Sequence, residues 1–445
     1  MKDVGIGVFF LLQGVDLMVI YVVRRGDSLW SISRRFGVSM DRISQVNGLN
    51  QLPYLVEGQA LVIPSTERVY RVQPGDTIWA IARRFNVSVN GIVELNNITN
   101  PELLYPGMIL RIPEFSKLYG TVEVNGYIEP VSGDVDRQIV NEVGQYLTYI
   151  SPFSYQVREN GSLVPIADEN IIQAAGNHRV APLMVITNFR NGNFDSEMVH
   201  AILSNESVQQ TLINNVITTM RNKGYYGLNI DFERIPAQDR QLYNNFLRRV
   251  VNALHPLNYV VSTALAPKPS DYATGEWHGA HDYRAHGEIV DFVIIMTYEW
   301  GWSGGPPYAV APINLVRQVI QYAVSVIPAN KIMMGVPLYG YNWMLPYMPG
   351  GQWARRVSPQ GAVMLAAQYG VPIQYSIESQ APFFNYVDNN GVQHVVWFED
   401  ARSVQAKYLL VNEFGLRGVS YWVLGLQFPQ NWYILNDMFR IVKVV

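Results

Sequence analysis

Asn229, Asp231 and Glu233 alternate with large apolar residues in the stretch Tyr226-Gly227-Leu228-Asn229-Ile230-Asp231-Phe232-Glu233. Side chains two apart on a strand share a face. A strand here turns an amide and two carboxylates one way and Leu228, Ile230 and Phe232 the other. Desolvating an unpaired carboxylate costs several kcal/mol, so two acids on one face call for a site that water or a ligand can reach. The opposite face is too apolar and too long-chained for an edge strand. The acids stand about 6.5–7 Å apart along the strand and meet a bound molecule from the same side.

Composition narrows the setting. With 445 residues the chain exceeds one ordinary core, so at least two domains are expected. A net charge of -3 without basic or acidic runs gives no footing for nucleic acid held through its phosphates. The 27 tyrosines and 10 tryptophans suit carbohydrate, whose apolar faces stack on rings, and they also suit a large core. Cysteine is absent, so there is neither a disulfide framework nor a thiolate metal site. The 7 histidines show no ligand spacing, and no metal or cofactor is expected. Near the start, Val8-Phe9-Phe10-Leu11-Leu12 is apolar but too short to span a membrane, and no small-residue cleavage site follows it. Residues 1–19 are therefore read as an extension. Met18, just before the first regular strand, is the expected start of translation, and a degenerate export signal is the alternative.

Residues 20–64 align with 69–113 at a constant offset of 49, with 18 of 45 positions identical. That is a duplication. Shared landmarks are Tyr21/Tyr70, Gly26-Asp27/Gly75-Asp76, Trp30/Trp79, Arg34-Arg35-Phe36/Arg83-Arg84-Phe85, Asn47/Asn96 and Ile63-Pro64/Ile112-Pro113. Each unit reads strand, helix, helix, strand, with Ser28 or Thr77 placed to cap the first helix. Helical phase puts Trp30 and Trp79 in the unit cores, with contact to sugar as the alternative reading. The units, at 20–65 and 69–114, resemble LysM modules, small βααβ domains that bind glycans containing N-acetylglucosamine. The resemblance implies a sugar groove between Asp27-Ser28-Leu29 and the segment near Leu55, repeated at Asp76-Thr77-Ile78 and Leu104. Glu57 stands where the second unit has Pro106, so the two loops need not be alike. A second tethered site raises avidity by roughly 10²–10⁴.

From about Leu118 apolar strands alternate with helical segments, the pattern of a mostly parallel α/β architecture. Candidate strands are 120–127, 146–152, 181–187, 227–232, 259–266, 289–297, 331–337 and 418–422. Helices are expected at 207–223, 238–253 and 312–326, among others. Eight such units suggest a (β/α)8 TIM barrel over 117–445, with a small α+β insertion and a short linker near 114–116. The active face then lies at the C-terminal strand ends. An open doubly wound sheet would bring a glycine-rich phosphate turn after its first strand, which is lacking.

These residues resemble glycoside hydrolase family 18, the chitinase-like barrels. The fourth-strand signature of that family falls on 226–233, its sixth-strand motif on Met296-Thr297-Tyr298, and its seventh on Gly335-Val336-Pro337-Leu338-Tyr339-Gly340. Together with the paired modules, the segments 296–307 and Val396-Trp397-Phe398-Glu399-Asp400 resemble the spore N-acetylglucosaminidases of endospore-forming bacteria. The resemblance implies that Glu233 is the general acid and base, that Asp231 holds the 2-acetamido group of the substrate, and that Tyr298 donates to the acetamido oxygen. Trp422 would be the stacking floor. Tyr127, Phe153, Met296, Glu299, Trp300, Tyr339 and Trp343 complete the expected sugar contacts. One strand cannot place carboxylates on both faces of a sugar, which both the enzyme-nucleophile route and the base-activated-water route require. The sugar's own acetamido oxygen is then the nucleophile, and configuration is retained.

Two positions depart from the family pattern. Tyr226 replaces the first aspartate, at the start of the strand, where a packing role is expected. Asn229 replaces the middle one and is expected to act as a fixed donor to Asp231, giving a simpler acidic limb in the pH profile. Peptidoglycan of the spore cortex is the expected partner, with cleavage after N-acetylglucosamine. Chitinase, a non-catalytic glycan binder and a structural coat protein are the rival readings. The expected location is the spore coat or cortex, with coat proteins as further partners and secretion or the cell wall as the alternative.

Overall fold

In this computed structural model, the described residues are 18–64, 68–85, 87, 89–112, 119–272, 275 and 277–445. Of the expected extension at 1–19, residues 1–17 lie outside them, as does the linker near 114–116, while Val19 already belongs to the first strand. Among the described residues, no helix is long and apolar enough to cross a membrane.

Each front unit is a two-stranded antiparallel sheet with two helices between the strands. In the first, Val19–Val22 pairs with Ala60–Ile63, and helices run Leu29–Phe36 and Met40–Asn47. The second repeats this with Arg68–Arg71, Ile78–Phe85, Val89–Leu95 and Ile109–Ile112. Ser28 caps its helix in a reciprocal pair with Ser31, and Thr77 accepts from the Ala80 amide. Asn47 ties its helix to the closing strand through both the Val62 amide and carbonyl. Asn96 does the same at Arg111.

The back of the chain is a closed eight-stranded parallel barrel. Its strands are Thr121–Ile128, Tyr149–Pro152, Ala181–Thr187, Gly227–Asp231, Val260–Leu265, Phe292–Ile295, Ile332–Pro337 and Gly418–Trp422. Each pairs with the next, and the eighth pairs with the first, so no edge is left open. Helices such as Glu206–Lys223, Arg240–Leu254 and Ile313–Val326 form the outer layer, with Leu228, Ile230 and Phe232 packed beneath it. The lumen holds a separate cluster of Tyr127, Tyr149, Leu183, Val185, Phe292, Ile294 and Met333.

The insertion lies between the seventh and eighth barrel strands. It is a five-stranded antiparallel sheet with one helix, Pro359–Tyr369. Its strand Gly340–Leu345 pairs with both Arg355–Val357 and Gln393–Trp397.

Candidate active site

The fourth barrel strand ends at Asp231, two residues before Glu233. Asn229 and Asp231 face the lumen and are buried, at 0% and 4% exposure. Beyond the strand the chain leaves the sheet, and Arg234 takes a left-handed conformation at φ 53. The backbone bonds that a neighbouring strand would have made come instead from one side chain. Asn188, at the end of the third strand, accepts from the Glu233 amide at 2.9 Å and donates to the Glu233 carbonyl at 2.8 Å. His281 donates through Nε2 to the Phe232 carbonyl at 3.0 Å, while its Nδ1 accepts from the Ala266 amide. Burial holds its pKa down to about 4, so the ring stays neutral in that tautomer. Sequence reasoning missed both clamps. Asn188 stood directly after a predicted strand, but nothing in its neighbours marked it.

Asn229 does not donate to Asp231, contrary to the sequence expectation. Its amide nitrogen donates to Ser262 Oγ at 2.9 Å, and its oxygen accepts the Tyr127 hydroxyl at 2.8 Å. The facing fifth strand sets this: Asn229 is in register with Ser262. Asp231 is thereby left with a buried Oδ1 that has no hydrogen-bond partner among the described residues. Desolvation pushes the Asp231 carboxyl up to about 7. Glu233 is raised well above the usual carboxylate range, first by desolvation and then by the charges of Asp231 and Glu299.

Tyr298, at 9% exposure, sits just past the sixth strand. Gly335 makes room for it, since a Cβ there would lie 2.8 Å from its ring. Burial, then the charges of Asp231 and Glu233, hold its hydroxyl protonated. Glu299, also left-handed at φ 68, accepts hydroxyl hydrogens from Tyr339 and from Tyr341, the latter at 3.0 Å. Tyr341 was not anticipated, although it alternates with Tyr339 and Trp343 in the sequence.

Trp422 ends the eighth strand and meets Phe153 edge-on at 4.8 Å and Tyr127 at 5.6 Å. Tyr127 is 2% exposed, with its hydroxyl engaged by Asn229 and its ring packed against Trp422. Met296 and Trp300 are partly buried against the main core. Trp343, expected to touch sugar, is 2% exposed and donates its indole N–H to the Gly305 carbonyl at 3.0 Å. It packs into the main core and ties the insertion strand Gly340–Leu345 to the loop after the sixth barrel strand. Tyr226 packs against Tyr149 in the lumen cluster, as expected.

The modules bring two further corrections. Trp30 and Trp79 are exposed, at 63% and 55%, while Ile78 is fully buried. Helical phase had the tryptophans inward, but Ile32 and Ile81 take the core positions of these short helices. Asp27 and Asp76 are occupied locally. Asp27 accepts from the Tyr21 hydroxyl at 2.6 Å and the Arg24 amide at 2.8 Å. Asp76 accepts likewise from Tyr70 and Gln73. Ser28 and Thr77 act as caps, and Leu29, Leu55 and Leu104 pack partly buried against their own module cores.

Comparison with known proteins agrees with this architecture. The family model for glycosyl hydrolases family 18 matches residues 174–426. The LysM domain model matches 21–64 and 70–113. The cortical fragment-lytic enzyme of Bacillus subtilis (strain 168) is 52% identical over 429 residues, covering 96% of this chain and 99% of that one. The spore cortex-lytic enzyme SleL of Bacillus megaterium QM B1551 superposes with a TM-score of 0.82 at 44% identity, over 96% and 99% of the two chains. SleL of Bacillus cereus gives 0.81 at 42%, over 96% and 100%. With its acid-bearing strand, closed barrel and paired front modules, this chain belongs to glycosyl hydrolases family 18 and carries two LysM domains.

Proposed function

We propose that the protein is a retaining N-acetylglucosaminidase that cleaves β-1,4 bonds after N-acetylglucosamine in spore cortex peptidoglycan or its fragments. The observation that carries this reading is the orphaned Oδ1 of Asp231. A buried acceptor without a donor costs about 1–3 kcal/mol or more, and a substrate N–H removes that cost. An acetamido group brings such an N–H two bonds from the anomeric carbon.

The steps follow from the donor inventory. Glu233, whose carboxyl is pushed toward its protonated form by burial and by the charges of Asp231 and Glu299, gives its proton to the bridging oxygen, and the C1–O bond breaks. The acetamido oxygen bonds to C1 in its place. Asp231, ionised, accepts from the acetamido N–H and offsets the positive charge of the ring so formed. Tyr298 donates to the acetamido oxygen and orients it. The Glu233 carboxylate then takes a proton from water, whose oxygen attacks C1 and reopens the ring. Two displacements at C1 retain configuration. Glu299 accepts two tyrosine hydroxyls on its Oε1, which lowers its nucleophilicity and makes it a poor opposing nucleophile. Trp422 offers a face for the reacting sugar.

The names of the Bacillus relatives support cortex as the substrate and the spore as the location. Chitin presents the same acetamido sugar, so chitinase is the second reading. Mass analysis of products from spore cortex, beside those from chitin oligomers, tests the choice. A new N-acetylglucosamine reducing end from cortex is expected, and chitobiose from chitin alone would overturn it.

A further inference from the structure

The two modules share a fold and a spacing but not a surface. In the first, the loop 52–58 is pressed against the barrel insertion. The Tyr54 hydroxyl donates to the Ala367 carbonyl, the Ile373 amide to the Glu57 carbonyl at 2.8 Å, and Arg402 to the Gly58 carbonyl at 3.3 Å. Val56 is 3% exposed and belongs to one cluster with Ala362, Ala366 and Phe384 of the insertion. A Cβ at Gly58 would lie 1.8 Å from the Ile373 carbonyl oxygen. A second line of contact runs along the helix end, where Gln360 donates to the Gly48 carbonyl at 2.7 Å and Gln430 donates to Asn47 Oδ1 at 2.7 Å.

The equivalent loop of the second module, 101–107, is open. Tyr105 replaces Val56 and is 65% exposed, and Leu103 replaces Tyr54 at 54%. Nothing lies within 4 Å of a Cβ built at Gly107. Its core cluster, which includes Val72, Ile78, Ile81 and Leu110, contains no barrel residue.

We infer that the modules divide the work: the 52–58 loop of the first is an intramolecular dock that holds that module on the barrel, and capture of the glycan strand falls to the second, across its open 101–107 loop. This rests on the reading that LysM modules here take N-acetylglucosamine glycans. A sugar chain recognised by such a loop needs its backbone groups and neighbouring side chains. In the first module those groups are already committed to the barrel, and freeing them would expose Val56 and unpair the Glu57 and Gly58 carbonyls. Duplication thus supplied one rigid spacer and one free hand.

The test uses the full chain in a Glu233→Gln background, so that the cleft contributes equally to every sample. Retention on insoluble N-acetylglucosamine-containing peptidoglycan is measured with Trp79→Ala, with Leu103→Ala/Tyr105→Ala, and with Trp30→Ala, the matching tryptophan of the first module. All these side chains are exposed, and melting temperature checks that each variant folds. The second-module variants are expected to weaken retention roughly tenfold or more, the effect of losing an aromatic anchor, and Trp30→Ala to leave it unchanged. A loss from Trp30→Ala equal to or larger than that from the second-module variants overturns the division and leaves glycan capture standing. No loss from any variant overturns both.

Discussion

Asp168 and Asp231 are both sealed from solvent, at 0% and 4% exposure, yet the fold treats them in opposite ways. Asp168, in the outer layer just before the helix Glu169–Asn177, is surrounded by donors. It takes the Lys223 ammonium on one oxygen and the hydroxyls of Tyr155, at 2.6 Å, and Tyr225 on the other. Asp231, in the lumen, keeps one oxygen without a hydrogen-bond partner among the described residues. The first is a paired charge that fastens a helix to its neighbours. The second is held with one acceptor free for a partner from outside the chain. A carboxylate left unpaired at a strand end, facing a lumen, marks the chemistry of this barrel better than burial alone.

The sharpest way to separate the two regions is to remove an acid from one and a cation from the other. Glu233→Gln should lower turnover by roughly 10²–10⁴ with glycan retention intact, because general acid–base catalysis is worth that much. Hydrolysis at the native rate would dismiss Glu233 as the acid. Lys223→Met leaves the Asp168 charge buried and unpaired. It should destabilise the fold by about 3 kcal/mol, the lower end for broken buried pairs because Lys223 still reaches solvent. Urea unfolding measures this, and turnover per folded molecule should be unchanged.

Asp231→Asn should do the reverse, abolishing activity while stabilising the protein at alkaline pH. The unfolded chain loses the Asp231 proton near pH 3.9, roughly the model-peptide value, while the folded chain holds it to about 7. Between those limits the folded state binds more protons, so wild-type stability falls as pH rises, by up to about 1.4 kcal/mol per unit. The gain from Asn is therefore expected to be absent near pH 4 and largest at pH 8. Equal melting shifts at both values would contradict the raised pKa. The same titration predicts that activity declines as pH drops below about 7, since Asp231 must be ionised to hold the acetamido N–H. Asn229→Asp is the smallest and most discriminating change. It places a third titrating group beside Tyr127 and Ser262, and a pH–rate profile identical to wild type would refute the simpler acidic limb attributed to the amide.

Much of the barrel was legible because its signals are local. Eight apolar runs separated by helical periods located all eight strands, and the alternation at 226–233 correctly divided lumen from outer layer. The duplicated modules were read from identity at a fixed offset. Errors arose where a neighbour remote in sequence had the deciding vote. Asn229 bonds Ser262 across the sheet, Trp343 gives its N–H to Gly305, and Asn188 grips Glu233 from 45 residues away.

The chain by itself therefore determined which elements form, which face of the fourth barrel strand is apolar, and that Asp231 and Glu233 share a strand end. Those properties follow from side-chain alternation and helical period, which act over a few residues. Only the tertiary structure decided that Asp231 would lack a donor, that Glu233 would be pinned by an amide, and that one of two sibling modules would be bound to the barrel by Gln360, Ile373 and Arg402. Hydrogen bonding and desolvation depend on what stands opposite in space, and here the partners are up to more than 300 positions away along the chain.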